Sequence, residues 1–291
     1  MKLKYFISVG LLIALPRVSM AQVQSSEEEI LPRSTYTAVT VGMGGMYNQD
    51  QYLSPLPYGG KSYSISAHSE VPVGRVPSAW MLMLDGTFDY AFTLNPAGNA
   101  GMTYYRGEFH PQAMYRWQLP RGLNLLAGPG IRIGGGGRLH SRNGNNPATL
   151  DAKGDLTATV LLAYRIPSET WPVSIRVWTS YGLLGLSSSI GYGQSYYEQQ
   201  FLAGGALKSL AFTAPHNASY STTQARIDIP LWNVCTLQLG YRLQYDRLFL
   251  NGLVWQHTQH VGLIGFSFES LYLLGRRATT SGLHQSALFG I

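Results

Sequence analysis

The chain has 291 residues, with 21 Lys+Arg against 15 Asp+Glu, a single cysteine and only 12% charged residues. A soluble domain carries about a quarter. Beyond the first twenty residues no stretch approaches the roughly 18 consecutive apolar residues of a spanning helix, which excludes a polytopic helical protein. One cysteine excludes a disulfide scaffold, and the formal charge of +6 is too small and scattered to point to nucleic acid.

At the N-terminus, Lys2 and Lys4 precede an apolar run from Tyr5 to Leu15, and Ser19-Met20-Ala21 offers a small-x-small cleavage site before Gln22. This is the pattern of a secretory signal peptide, so residues 1–21 are expected to be removed on export. Residues 22–33, which hold Glu27, Glu28 and Glu29, are expected to form a flexible periplasmic leader.

From Thr35 onward, apolar and polar positions alternate with the period of a strand that has two different faces. Ten such segments lie near 35–46, 60–71, 79–93, 102–118, 122–137, 153–166, 172–187, 218–230, 234–248 and 257–270. In the sixth, Leu156, Ala158, Val160, Leu162, Tyr164 and Ile166 share one face, and Asp155, Thr157, Thr159 and Arg165 share the other. The ninth sets Leu237, Leu239, Tyr241, Leu243 and Tyr245 against Gln238, Gly240, Arg242, Gln244 and Asp246. Connections at 72–78, 119–121, 167–171 and 231–233 are short, whereas those at 47–59, 94–101, 138–152, 188–217 and 249–256 are mostly longer and rich in Gly, Asn, Ser and Gln. Short turns at one end and long loops at the other are expected of an outer-membrane barrel with its turns in the periplasm.

The faces separate this reading from a soluble sandwich, whose polar face would be dense in Lys, Glu and Asp. After residue 21 there are only three lysines, Lys61, Lys153 and Lys208, each in or beside a predicted loop. The polar face is Thr, Ser, Gln and Gly with isolated Arg and acids, which suits an enclosed lumen. The apolar face then meets lipid, where no backbone group finds water, so the sheet must close on itself. Phe88, Tyr90, Phe92, Tyr105 and Phe109 gather toward one strand end, and Tyr115, Trp117, Trp80, Tyr164 and Trp171 toward the other, as interfacial girdles would. The fold class read from the sequence is therefore an all-β, closed antiparallel transmembrane barrel of about ten strands over residues 34–270, followed by a C-terminal tail at 271–291. Eight or twelve strands are the alternatives, the latter adding a hairpin within Gln199 to Thr213.

Strand parity points Arg106, Arg116, Arg132, Arg165, Arg176, Arg226 and Arg242 inward, together with Glu70, Asp85, Asp89, Glu108, Asp155, Asp228 and Asp246. Inside so narrow a barrel, charges must pair or neutralise. If the loop at 94–101 is centred near Ala97-Gly98, Asp89 faces Arg106 and Asp85 faces His110, with Glu108 diagonal to both. The lumen network is expected to comprise Asp85, Asp89, Arg106, Glu108, His110, Arg226, Asp228, Arg242 and Asp246, in a salt-bridged, Tyr- and Gln-lined plug with at most a narrow water path.

A barrel with Asp85, Asp89, Glu108 and His110 toward its outer rim resembles the omptin proteases in outline, but no second Asp-x-His pair stands on an opposite strand. His284-Gln285-Ser286 has the His-x-Ser spacing of lipid-acting barrel hydrolases, yet it lies in the tail. His257 and His260 fall on opposite faces of one strand and hold no metal, and lone Cys235 faces lipid or a turn. Gly134 to Gly137 precedes no helix, so it reads as a flexible strand end instead of a phosphate loop.

The first outer loop holds Tyr52, Leu53, Ser54, Pro55, Leu56, Pro57, Tyr58, Gly59 and Gly60; its prolines fix φ and its glycines permit a sharp re-entry, so an ordered loop is expected. This Tyr-Leu-Ser-Pro-Leu-x-Tyr-x-Gly phrase after a Gly-rich first strand resembles a family of small exported β-barrel proteins of gut-type bacteria with no known function, and the resemblance implies no catalytic residues. The expected protein is non-enzymatic and without cofactor or metal, a surface, structural or solute-binding barrel. A narrow passive channel or a barrel hydrolase is the alternative. Its partners are expected to be outer-membrane lipid, the barrel-assembly machinery and an unidentified surface ligand, not nucleic acid.

Overall fold

A computed structural model describes residues 34–74, 78–167, 173–188, 190–191, 193–195, 197–198, 209–231 and 236–269. Its strands are β1 Tyr36–Asp50, β2 Tyr58–Val73, β3 Trp80–Leu94, β4 Gly101–Leu119, β5 Leu123–His140, β6 Ala148–Arg165, β7 Ser174–Ser188, β8 Leu210–Thr213, β9 Ala218–Pro230, β10 Thr236–Leu250 and β11 Leu253–Glu269. All pairings are antiparallel between neighbours, β6 joins β7, and β1 joins β11 from Tyr36↔Glu269 to Asp50↔Trp255, so the sheet closes. Both β8 and β9 pair with β7, on its upper and lower parts, and together make one interrupted stave. The result is a closed antiparallel barrel of ten staves.

Its two faces are inverted relative to a soluble protein. On β6, Leu156, Val160 and Leu162 are exposed to the outside while Asp155, Thr157 and Thr159 are buried inside. Val41 lies between Ile65 and Ile264 in register, and the three are 52%, 57% and 52% exposed, a row of aliphatic side chains crossing three staves. Phe88, Tyr90, Phe92 and Phe109 are exposed toward the loop end. At the turn end Trp80, Tyr115 and Trp117 stack edge to face, with ring centroids 5.2 and 4.9 Å apart. Trp171 lies outside the described residues.

The strands run further toward the loop end than their alternation suggests. The expected loops at 47–59, 138–152 and 249–256 shrink to 51–57, 141–147 and 251–252. Above the apolar row the outward face need not be apolar, so the alternation fades while backbone pairing continues through Asn48, Gln49, Thr149 and Gln256. The expected length asymmetry consequently disappears for most connections: 51–57, 95–100 and 141–147 are no longer than 166–173 at the other end, and only 189–209 is long. Between β10 and β11 the chain reverses at Asn251-Gly252, both with positive φ, as a two-residue hairpin with right-handed strand twist requires. The run Gly134 to Gly137 lies within β5, paired on both sides, not at a loose strand end. Of the alternative twelve-strand hairpin, residues 199–208 lie outside the described residues, and Leu210–Thr213 pairs with β7.

Two inward glycines make the closing seam possible. A Cβ on Gly44 would lie 1.7 Å from the His260 carbonyl oxygen, and one on Gly265 would lie 2.0 Å from that of Val39. The strands coil so tightly here that no side chain fits between them.

Two outcomes are expected. Val41→Arg should lower the unfolding free energy in phospholipid vesicles by about 2–4 kcal/mol, the midplane cost of an outward cation; urea titration with no loss relative to Val41→Leu contradicts a lipid-facing Val41. Gly265→Val should leave unboiled protein at its unfolded position on a gel, and compact migration of that variant would rule out the seam geometry.

Candidate functional site

The lumen is filled in tiers. At the turn end Met81, Met83, Met114, Leu126, Leu161, Ala163 and Trp178 form a buried apolar plug, with Met83 and Met114 fully enclosed. The sequence reading expected a polar, Tyr- and Gln-lined filling throughout; inward parity places these apolar residues beside the polar ones instead. Methionine suits such a site because its flexible thioether fills irregular space.

The ion-pair network starts beside this plug. His68 bonds the Asp85 carboxylate through Nδ1 at 2.7 Å and the Glu70 carboxylate through Nε2 at 2.8 Å. His68 thereby links the two acids through both of its ring nitrogens. Arg176 reaches Glu70 at 2.9 Å and Asp228 at 3.2 Å, with its guanidinium 4.1 Å from the Tyr36 ring centroid. Tyr36 donates to Asp228 at 3.0 Å, Gln238 donates to Asp228 at 2.8 Å, and Arg226 reaches Asp85 at 3.4 Å.

In the middle tier Arg242 pairs with Asp89 and donates to Ser64 at 2.9 Å. Arg132 pairs with Asp155 at 2.8 Å, and His110 meets the Thr157 hydroxyl at 2.8 Å. Nearer the loops, Arg106 bridges Asp246 and Glu108, and Lys153 bridges the same two acids at 3.2 and 2.9 Å. At the rim Arg138 reaches Asp50 at 2.9 Å and Asp151 at 2.5 Å. Among the described residues a cavity of about 30 Å³ lies beside His110 and Arg226 and one of about 50 Å³ at the loop end, each with room for a few waters.

All nine expected network residues lie in the lumen. The register is as expected, Asp89↔Arg106 and Asp85↔His110, but the side chains choose other partners: Asp89 takes Arg242 and Asp85 takes His68. Directly opposed residues diverge across a coiled sheet, and a narrow lumen lets side chains reach across it. Lys153, expected in or beside a loop, is a buried strand residue. Lys153 and Asp151 share the parity of Asp155, Arg138 that of Arg132, and His68 that of Glu70. His68 and Lys153 already fall within the expected segments 60–71 and 153–166, where parity alone places them inward, and extending two other segment ends by one and two residues takes in Arg138 and Asp151. Of the first outer loop, Tyr58 and Gly59 belong to β2, with Tyr58 buried and bonded to His140 Nε2 at 2.6 Å. Leu53 and Ser54 are buried too, so the loop folds inward, and Tyr52 donates to the Gln194 carbonyl at 3.1 Å. Pro55 stays in the 51–57 connection.

Chemically, the arrangement holds its acids. Asp50, Glu70, Asp85, Asp89, Glu108, Asp151, Asp155, Asp228 and Asp246 each have an Arg or Lys no further than 3.4 Å. Among the described residues no three His, Cys, Asp or Glu side chains are grouped to hold a metal ion. His284, Ser286 and Cys235 lie outside the described residues. Asp246→Asn should cost about 3–5 kcal/mol of stability, because Arg106 and Lys153 then share only Glu108. Urea unfolding in detergent checks it, and adding Lys153→Met should recover part of the loss; no loss in the single variant removes the network as a stabilising element.

The outer-membrane protease OmpT from Escherichia coli is similar with a TM-score of 0.51 at 7% identity, covering 82% of this chain and 97% of that one. The translocator domain of the autotransporter NalP from Neisseria meningitidis matches with a TM-score of 0.42 at 10% identity, covering 81% and 88%. Neisserial surface protein A matches with a TM-score of 0.33 at 9% identity, covering 80% and 99%. At such identities the likeness to OmpT speaks for the fold alone, that of an outer-membrane barrel. No curated protein sequence matches the chain. A family described as "Protein of unknown function (DUF3316)" matches residues 6–277, and the chain belongs to it.

Proposed function

We propose that the chain is a non-enzymatic outer-membrane barrel, closed to ion flow, that is exported through a cleaved leader and acts from its loop end on a small solute or surface ligand. The filled turn end carries this reading: Met81, Met83, Met114, Leu126 and Trp178 pack one side of it, the buried Arg116 and the paired Glu70, Arg176 and Asp228 occupy it beside them, and further paired charges fill the lumen beyond. A passive channel needs a continuous wet route, and the cavities of about 50 and 30 Å³ have no lining residue in common. A hydrolase of the type suggested by the likeness to OmpT, a protease, needs a carboxylate or imidazole free to move a proton. The acids here are clamped by arginine and lysine, His110 is bonded to Thr157, and His257, whose ring nitrogens have no hydrogen-bond partner among the described residues, is fully buried where no substrate reaches it. Membrane lipid around the apolar belt and the barrel-assembly machinery during insertion are the partners this reading implies.

In a planar bilayer the protein should show no discrete conductance steps, and a Met81→Ser, Met83→Ser, Met114→Ser triple variant that still migrates as a folded barrel should show them. Steps from the unmodified protein that change with Asp89→Ala would replace this reading with a channel.

A further inference from the structure

Toward the loops, the outward face of the strands is basic on one side of the barrel only. Val41, Ile65 and Ile264 share a row across β1, β2 and β11, and four residues nearer the loops the same staves hold Gly45, Lys61 and His260, also in one row. All three are exposed, as is Arg247 further up on β10. At this end the outward positions of β3 to β7 hold residues such as Phe92, Leu139 and Leu186 and, among the described residues, no Lys, Arg or His. No acid offsets the basic side. Asp50, Asp151 and Asp246 all point into the lumen, where arginine and lysine hold them. Among the described residues Lys61 and Arg247 have neither an ion pair nor a side-chain hydrogen bond.

Between Lys61 and His260 the wall is bare. A Cβ on Gly45 or Gly262 would meet only a carbonyl oxygen at 3.8 Å, and one on Gly59 would meet nothing within 4 Å. Packing leaves room for side chains here, unlike at inward Gly44 and Gly265, so these glycines form a shallow open notch. Lys61 and His260 stand two strand spacings apart, roughly 10 Å, so a group about 5 Å across seated over Gly45 is within reach of both side chains. The Tyr241 hydroxyl bonds His260 Nδ1, which leaves Nε2 as the ring edge free for a ligand. Four residues along a tilted strand rise about 10 Å along the membrane normal, which brings the notch near the upper limit of an apolar band ~25 Å tall. Exposed Tyr47 and Tyr63 flank it, as interfacial tyrosines do. Lipid headgroups occupy that height.

We propose that this notch seats a phosphate monoester in the headgroup of an outer-leaflet lipid, with the Lys61 ammonium and the His260 Nε2–H on its oxygens; the assignment rests on the loop end lying at the outer leaflet. Such a group carries about −1.5 to −2 charges at neutral pH on three strong acceptor oxygens. A cation and a ring N–H with no carboxylate beside them match it. Below the notch, exposed Met43, Val41 and Ile65 continue down the same staves and offer an apolar track to the acyl chains of that lipid. Zwitterionic headgroups fit worse, because they bring a cation of their own to a side that already holds Lys61 and Arg247.

Native mass spectrometry of the full chain released from detergent tests it, with phosphatidic acid as the monoester probe and phosphatidylcholine, diacylglycerol and inorganic phosphate as controls. Retention of phosphatidic acid over all three controls is expected. Lys61→Gln should weaken that retention about fivefold, as loss of one interfacial cation does. Gly45→Leu fills the notch, keeps both polar side chains and should abolish the preference, whereas Arg121→Gln at the turn end should leave it unchanged. Each variant must keep folded migration on an unboiled gel; if Gly45→Leu fails to fold, Lys61→Gln and its rescue by Lys61→Arg decide. Equal retention of phosphatidic acid and phosphatidylcholine overturns the proposal, as does a preference untouched by both notch variants. Inorganic phosphate held as well as the lipid overturns the lipid assignment, and an equal loss in Arg121→Gln reduces the effect to unspecific charge attraction and overturns the site. The notch lies outside the wall, so a conducting protein that keeps the preference loses only the closed-lumen reading, and a silent one without it loses only this site.

Discussion

Enclosed charge is the constraint on which the rest of this structure depends. A ten-stave barrel has an interior only just wide enough for side chains, so an ionised group placed inside loses most of its water and must find an opposite charge. The lumen answers with a chain of bridges: Arg176 spans Glu70 and Asp228, Arg106 and Lys153 span Glu108 and Asp246, and Arg138 spans Asp50 and Asp151. Because each cation serves two acids from different staves, the network ties strands that are far apart in the chain, such as β4 with β10 and β2 with β7. It is weak evidence for stability on its own, since desolvation opposes the Coulomb gain, but it strongly disfavours any other register.

The outer surface follows from the complementary requirement. Backbone groups surrounded by hydrocarbon have no water to turn to, so every ladder must be complete and the last strand must meet the first. The seam between β1 and β11 achieves this at the expense of side chains, with Gly44 and Gly265 standing where the backbones approach too closely for a Cβ. The interruption between β8 and β9 is bridged locally: the Asn217 side chain accepts from the Ala214 N–H at 2.8 Å, and the Ala218 N–H reaches the Ala214 carbonyl at 2.8 Å.

Much of this was legible in the sequence because period two is written on both faces where lipid lies outside and charge inside. The inward set around Asp89, Arg106 and Arg242 follows from parity, closure from a lipid-facing side that allows no open edge, and about ten strands from the count of alternating segments, with eight and twelve left open. Legibility failed where one face stopped being constrained. Beyond the apolar row, outward residues such as Gln49 and Gln256 look like loop, so strand lengths, Lys153, Asp151 and Tyr58 were misplaced. It failed again at the turn end, where Leu161 and Met83 are apolar and yet point inward. Pairing partners were beyond reach as well, because they depend on who meets whom across the lumen, as Asp85 meets His68.

The tight reversal at Asn251-Gly252 shapes traffic at the mouth. Two residues cannot overhang anything, so the corner of β10 and β11 has no awning, and half-buried Leu253 and Val254 form the doorstep of the cavity. A visitor crossing that corner meets grease before it meets charge. Lengthening this reversal by a few residues would shut the doorway from the side without touching any bonded group within.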